Sequence, residues 1–188
     1  MKVVVFMLKQ DDPSKCTANR MAKFRFALPT KYISKDTLIL NPFSKFLLCR
    51  NDAKIYKSLC VIDCSWEKVN NEFTKNKILK YSRVDRRLPR LLAGNPTNYS
   101  KLGKLSSAEA VAAALYILGN KRIAHDIMNK FKWGHTFFDL NSEPLEEYSR
   151  ASSPEEISDI EDSYFLAIPK NDEYASFPKV AAKDIDTR

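Results

Sequence analysis

Glycine is scarce in this chain of 188 residues: only Gly94, Gly103, Gly119 and Gly134 are present. No two of them stand at the spacing of G-x-G-x-x-G or G-x-x-x-x-G-K. A Rossmann dinucleotide loop and a Walker phosphate loop are therefore excluded, and a nucleotide-like ligand must be held another way. Histidine is scarcer still, with His125 and His135 alone, which leaves little material for a Ser-His-Asp triad or a histidine-based metal centre. The four cysteines, Cys16, Cys49, Cys60 and Cys64, contain no C-x-x-C pair. Reduced thiols are expected rather than a structural zinc site, and no metal is expected elsewhere. No apolar run approaches the ~20 residues that span a bilayer. The opening run Val3-Val4-Val5-Phe6 is followed by Lys9, Asp11 and Asp12 without a small-residue cleavage site. It reads as a first strand, not a signal peptide, and a cytoplasmic location is expected.

Charge is plentiful but unevenly divided. Residues 1–133 carry 26 Lys+Arg against 10 Asp+Glu, whereas residues 134–188 carry 5 against 13. A body this basic has the electrostatic footprint of a polyanion binder, most simply of nucleic acid; the plainer reading is a lysine-rich, solvated surface. The acidic end either folds back on the basic body or stays in solvent.

The first half reads as strands separated by polar loops. Val3 to Leu8 is a continuous apolar run of the kind a buried parallel strand requires. Thr37 to Leu40 is a second, cut off by Asn41-Pro42, and Ser58 to Ile62 a third, ending at Asp63. Cys16 to Phe26 suits a short crossover helix, and Trp66 to Phe73 the start of another. Strand, crossover, strand implies a parallel sheet. The second half reads as helices. Ser106-Ser107-Ala108-Glu109 is a capping box ahead of the apolar run Ala110 to Leu118, with Gly119 where a C-terminal cap belongs. Apolar nearly all round, this helix is expected at the centre. Lys121 to Lys132 is a second helix, stopped by Gly134; His135 to Tyr148 is a third, interrupted near Pro144. Ser153-Pro154-Glu155-Glu156 opens a short one, and loose structure is expected beyond Pro169.

In open parallel sheets ligands lie beyond the carboxyl ends of the strands. Three such ends carry Asp11 to Thr17, Asn41 to Ser44 and Asp63 to Trp66. At the last, a carboxylate with an indole three residues on pairs a polar anchor or base with an apolar wall. Alternatively Asp63 or Ser65 only caps the next helix and Trp66 is core. Arg83 to Arg90 concentrates guanidinium groups suited to bidentate phosphate contact, with Arg20, Lys23 and Arg25 as a second basic group; a solvated face is the competing reading. The Asn-rich loop Leu91 to Tyr99 feeds the capped helix, whose first N–H groups favour an anion such as a carboxylate.

Asp-Cys-Ser-Trp at 63–66, Arg-Leu-Pro at 87–89, Ala-Gly-Asn-Pro-Thr-Asn-Tyr at 93–99, Lys-Leu-Ser-Ser-Ala-Glu-Ala at 104–110, and Phe-Lys-Trp-Gly at 131–134 with Phe-x-x-x-Asn at 137–141 follow in this order. In that ordered set, from about Val3 to Tyr148, the sequence resembles the small-subunit rRNA aminocarboxypropyltransferases of archaea and eukaryotes. The resemblance implies an α/β fold with a parallel-sheet N-terminal region, a SPOUT-like trefoil knot and an all-helical C-terminal region. It implies three segments: an α/β part over 1–90 with basic RNA-facing loops, a helical part over 91–148 completing the knotted cofactor site, and an acidic, partly loose extension over 149–188.

The implied co-substrate is S-adenosylmethionine, whose 3-amino-3-carboxypropyl arm goes to N3 of a pseudouridine, usually N1-methylated, in small-subunit rRNA, with release of methylthioadenosine. Adenine is expected among Leu40, Pro42, Trp66 and Leu105. Ribose and the methionine end are expected near Thr17, Ile62, Leu92 and Ser106, with Tyr99 also at the cofactor site. Asp63 is the candidate catalytic residue, as base or as electrostatic anchor. Arg20, Lys23, Arg86, Arg87 and Arg90 are the candidate RNA contacts, and a monomer is expected because the helical half covers the knot surface through which SPOUT enzymes often dimerise. A non-catalytic ribosome-assembly factor and a SPOUT-type RNA methyltransferase are the alternatives.

Overall fold

Runs rich in Val, Ile and Leu, whose side chains suit a pleated surface, form the centre of a five-stranded sheet in a computed structural model that describes residues 1–7, 16–63 and 84–166. The strands are β1 (Lys2–Met7), β2 (Leu28–Thr30), β3 (Thr37–Leu40), β4 (Ser58–Asp63) and β5 (Asp85–Arg86). They lie in the order β2-β1-β4-β3-β5, and every pairing is parallel. Alternation sends Val3, Val5, Leu38, Leu40, Leu59 and Val61 into the main core, and Ile39, Cys60 and Ile62 into a smaller cluster with Val4 and Phe6. Burial on both faces is why the three central strands read as unbroken apolar runs.

The two edge strands escape that pattern. β2 contains Pro29, which an edge tolerates because its missing N–H faces no partner. β5 has only two residues, both charged, and is fixed by main-chain bonds: the Ile39 N–H donates to the Val84 carbonyl (3.2 Å) and the Asn41 N–H to that of Arg86 (2.9 Å). The crossover helix between β1 and β2 is α1 (Thr17–Lys23), and a single turn, α2 (Asp52–Ile55), precedes β4. The helix expected to begin at Trp66 lies outside the described residues.

From Ser107 to Phe165 the chain is largely helical, as α3 (Ser107–Ile117), α4 (Lys121–Met128), α5 (Gly134–Arg150) and α6 (Pro154–Phe165). Five of the eleven α3 residues are alanine, so neighbouring elements can approach it closely. Ala112, Ala113, Ala114, Leu115 and Ile117 are wholly buried, packed among β4, α1, α4 and α5. Its end is a Schellman turn: Asn120 N–H donates to the Leu115 carbonyl (2.7 Å) and Gly119 N–H to that of Tyr116 (3.1 Å). Gly119 takes φ +89°, which a Cβ would strain.

The break in α5 falls at Asn141 (φ −125°, ψ 15°), three residues ahead of Pro144. A proline ring presses on the carbonyl four residues back, so the distortion appears upstream of the proline itself. Helix α6 starts as the sequence suggests, with Ser153 accepting from the Glu156 N–H and Pro154 in the first turn, but runs to Phe165 rather than for a short stretch. It folds back: Glu161, 4% exposed, receives both terminal nitrogens of Arg87 (2.8 and 3.0 Å) and the Arg90 N–H (2.7 Å). A buried carboxylate needs such partners, and removing one side of the pair is costly. Glu161→Gln is expected to lower unfolding free energy by about 2 kcal/mol in a denaturant titration; an unchanged midpoint would show that α6 is not anchored there.

Candidate functional site

Parallel register brings the carboxyl ends of β1, β4 and β3 side by side, with Met7 opposite Asp63 and Leu40 opposite Val61. Asp63 is largely buried there. One of its oxygens accepts the Cys16 thiol proton (3.1 Å) and the other the Ser107 hydroxyl proton (3.1 Å). Cys16 caps α1, its sulfur accepting from the Asn19 N–H (3.3 Å). Thr17, the first residue of α1, accepts from the Ala108 N–H (3.3 Å). The starts of α1 and α3 are thereby tied to the end of β4 and to each other. Asp63 joins three elements, which is more than capping the segment that follows it. Burial, reinforced by the neighbouring Asp63 carboxylate, pushes the Cys16 thiol up to about 11.

A second buried carboxylate shapes the loop beside this junction. Glu109 completes the expected capping box, with Ser106 accepting from its N–H (3.3 Å) and its own Oε2 accepting from the Ser106 N–H (2.7 Å). It also accepts from the Gly94 and Asn95 N–H groups (2.7 and 2.9 Å) and from the Asn95 side chain (2.7 Å). Burial raises the Glu109 pKa, while these donors pull it back down. Gly94 fits because the α5 backbone is close: a Cβ would lie 2.6 Å from the Phe137 nitrogen. Asn141, at the α5 break, grips the same loop from the other side, accepting from the Leu92 N–H (2.8 Å) and donating to the Leu92 carbonyl (2.9 Å).

Around this frame the expected cofactor residues take different positions. Leu40 and Leu105 are buried, Pro42 and Leu92 half-buried, and Tyr99 57% exposed. The Ile62 side chain belongs to the smaller cluster, so its backbone is the part that faces the rim. The Leu92 N–H is spent on Asn141, which leaves spare capacity on its carbonyl but no donor. Of the first donors of α3, Ala108 serves Thr17 and Glu109 serves Ser106. The Ser107 N–H is the one without a partner among the described residues, so the anion-binding capacity expected of this terminus narrows to a single group. Trp66 lies outside the described residues.

The expected RNA residues separate in the same way. Arg20 and Lys23 are exposed, and the Arg20 guanidinium lies over the Phe24 and Phe131 rings, 5.9 and 5.2 Å from their centroids. Arg86 is held by Asp52 (3.1 and 3.2 Å), Arg87 by Glu161, and an Arg90 guanidinium nitrogen by the Phe165 carbonyl (3.4 Å). Asp52 and Glu161 are 3% and 4% exposed, and the guanidinium fork neutralises them. Sequence reading missed both carboxylates as partners. It also missed the reach of Glu109 into the 94–95 loop, since a capping box reveals only its local half.

A model of the ribosome biogenesis protein C-terminal family matches residues 38–165, past the Tyr148 limit of the motifs and through α6. The 16S rRNA aminocarboxypropyltransferase of Methanosarcina mazei is 45% identical over 164 residues, covering 85% of this chain and 92% of the relative. That of Thermoplasma volcanium is 46% identical over 162 residues, covering 84% and 94%. The solved structure of the SAM-dependent rRNA:acp-transferase Tsr3 from Vulcanisaeta distributa superposes with a TM-score of 0.76 at 34% identity, covering 88% of this chain and 96% of that one.

Two outcomes test the junction. Glu109→Gln sets an amide NH2 against two backbone or side-chain donors, and a loss of about 2–3 kcal/mol of stability is expected in thermal or chemical denaturation. With its thiol held near 11 against an ordinary 9.0, Cys16 should alkylate about 100-fold more slowly at pH 8 than an exposed thiol, read by peptide mass spectrometry. Reaction at the free-thiol rate would mean that the buried position of Cys16 beside Asp63 does not persist in solution.

Proposed function

The chain belongs to the ribosome-biogenesis family that includes the archaeal 16S rRNA aminocarboxypropyltransferases, and from that premise we propose that it moves the 3-amino-3-carboxypropyl group of S-adenosylmethionine to N3 of a pseudouridine, usually N1-methylated, in small-subunit rRNA, releasing methylthioadenosine. It is an rRNA-modifying transferase of ribosome biogenesis with S-adenosylmethionine as co-substrate.

The observation that carries the site assignment is Asp63, a buried carboxylate at a strand terminus with a proton donor on each oxygen. A carboxylate fixed by a donor on each oxygen sets an acceptor of negative charge at short range from a cation placed beside it. Buried Leu40 and Leu105 with half-buried Pro42 supply apolar surface for an adenine ring, and Trp66, three residues past Asp63, is assigned to the same wall. The Thr17 and Ser106 hydroxyls and the backbones at Ile62 and Leu92 are assigned to ribose and the methionine end, with Tyr99 at the margin. This set of hydroxyls and backbone groups, with only the carbonyl available at Leu92, suits a nucleotide held without a glycine-rich loop.

S-adenosylmethionine, when bound, supplies a sulfonium that activates three adjacent carbons, so orientation selects the one that reacts. The chain's part is to hold that orientation. Asp63 attracts the positive charge, the apolar wall shields the methyl group, and the side-chain carbon is left facing the RNA. The imide proton of the acceptor is acidic enough to leave to solvent, so Asp63 acts as an anchor rather than as an obligatory base.

The same reading divides the chain into an α/β part over 1–90, a helical part over 91–148 that closes a SPOUT-like trefoil knot around the site, and an acidic extension over 149–188. A parallel sheet followed by helices supports it. Exposed Arg20 and Lys23 are assigned to RNA phosphates. Arg86, Arg87 and Arg90 form the second basic group, where a phosphate has to compete with Asp52 and Glu161. We place the protein in the cytoplasm as a monomer; among the described residues no helix is long and apolar enough to cross a membrane.

Co-substrate labelled separately in its methyl and carboxypropyl carbons tests the reaction. The carboxypropyl label is expected in the RNA and the methyl label in methylthioadenosine; methyl label in RNA overturns the assignment. Asp63→Asn is expected to weaken co-substrate binding by about 10- to 100-fold, as loss of one opposite charge at close range implies, with turnover at saturation largely kept. Lost turnover at unchanged affinity would make Asp63 the base.

A further inference from the structure

The loop leaving β3 is tied down by hydrogen bonds yet carries an exposed ring. Ser44 N–H donates to the Asn41 carbonyl (3.1 Å), and Ser44 Oγ donates to the Asp85 carbonyl (3.2 Å) while accepting from the Phe46 N–H (3.2 Å). The Phe46 carbonyl accepts from the Arg87 N–H (2.8 Å), and the Leu48 N–H donates to the Arg87 carbonyl (2.9 Å). The segment is thus laced to β5 along its length, and it still holds Phe46 63% exposed and Phe43 37% exposed, with exposed Lys45 between them. An apolar ring as exposed as Phe46 and fixed in water loses what burial would gain, so its placement suits a partner that covers it.

The Arg86 guanidinium stands 5.7 Å from the Phe46 centroid, within cation–π range. Its Nε and one terminal nitrogen are bound by Asp52 (3.2 and 3.1 Å) and the other by the Asp85 carbonyl (3.0 Å). With all three nitrogens committed, Arg86 is a fixed brace for the ring rather than a free phosphate clamp. Arg86 is in register with Leu40, and Leu40 with Val61 of β4. The brace therefore stands two strands from the strand that ends in Asp63, about 10 Å away.

We propose that Phe46, braced by Arg86, is a stacking platform for an unpaired RNA base flanking the nucleotide that reaches Asp63. The proposal rests on the reading of RNA as substrate given above and deepens it. Every base has a π-face, so an aromatic ring set in a basic surface takes single-stranded RNA with little dependence on sequence. Arg86 is here a positioning residue, and Phe46 makes the contact.

The test compares wild type, Phe46→Ala, Phe46→Leu and Phe46→Trp for affinity toward a fluorescein-labelled single-stranded oligouridylate over a range of salt. Co-substrate affinity is measured alongside as a control for folding. Phe46→Ala and Phe46→Leu are expected to bind the RNA about 5- to 150-fold more weakly, with the slope of affinity against salt unchanged, because no charge is removed. Phe46→Trp is expected to restore binding, and all four proteins to bind S-adenosylmethionine alike. Wild-type affinity in Phe46→Ala overturns the platform. So does wild-type affinity in Phe46→Leu, since that would make the contact merely apolar, and a change in salt slope would make it ionic. A wild-type protein that transfers nothing to small-subunit rRNA overturns the functional reading instead, so the two failures are distinct.

Discussion

Glu109 carries a carboxyl group to a place that water does not reach, and the surrounding chain is arranged to receive it. Its two oxygens meet four N–H donors, from Gly94, Asn95 twice and Ser106. Those contacts close the first turn of α3 and fold the preceding loop back over it in the same act. The position of α3 then decides where Ser107 and Ala108 lie, and so whether Asp63 and Thr17 have anything to bind. A polar group this deep is tolerable only when fully satisfied, and satisfying it leaves the loop one conformation.

Much of this order could be read from residue types alone. The three central strands announced themselves because burial on both faces demands unbroken apolar runs, and α3 did so through Ser106, Glu109 and Gly119. What stayed hidden was long-range. Nothing local in Asp85-Arg86 says strand, because β5 exists only through its neighbours β3 and the loop to Leu48. The break in α5, expected near Pro144, falls at Asn141; that the Asn141 side chain there holds Leu92 was not legible. At the candidate site, Asp63 was legible as a carboxylate at a strand end. That it bridges Cys16 and Ser107, partners 47 and 44 residues away, was not.

The basic clusters teach a related lesson about charge. A run such as Arg86-Arg87-Leu88-Pro89-Arg90 looks the same in a sequence whether it faces a phosphate or a buried carboxylate. Here the fork geometry of Arg86 and Arg87 is used on Asp52 and Glu161, which hold α2 and α6 in place. Cationic surface intended for a polyanion and guanidinium groups intended for the fold are drawn from the same residues. The excess over residues 1–133 sets the field that an RNA meets from afar, while fewer side chains are free to touch it.

Thr17 waits for Ala108, 91 residues further along the chain, and Arg87 for Glu161, 74 residues on. Closures of such span come late in folding, because the entropy of the intervening chain is spent before the contact rewards it. On a translating ribosome the strands emerge before α3, whose first residues meet Asp63 and Thr17, and before α6, whose Glu161 meets Arg87. A molecule cut short before α3 lacks the Ser107 and Ala108 partners of Asp63 and Thr17, so the end of β4 stays untied until the second half of the chain has been made.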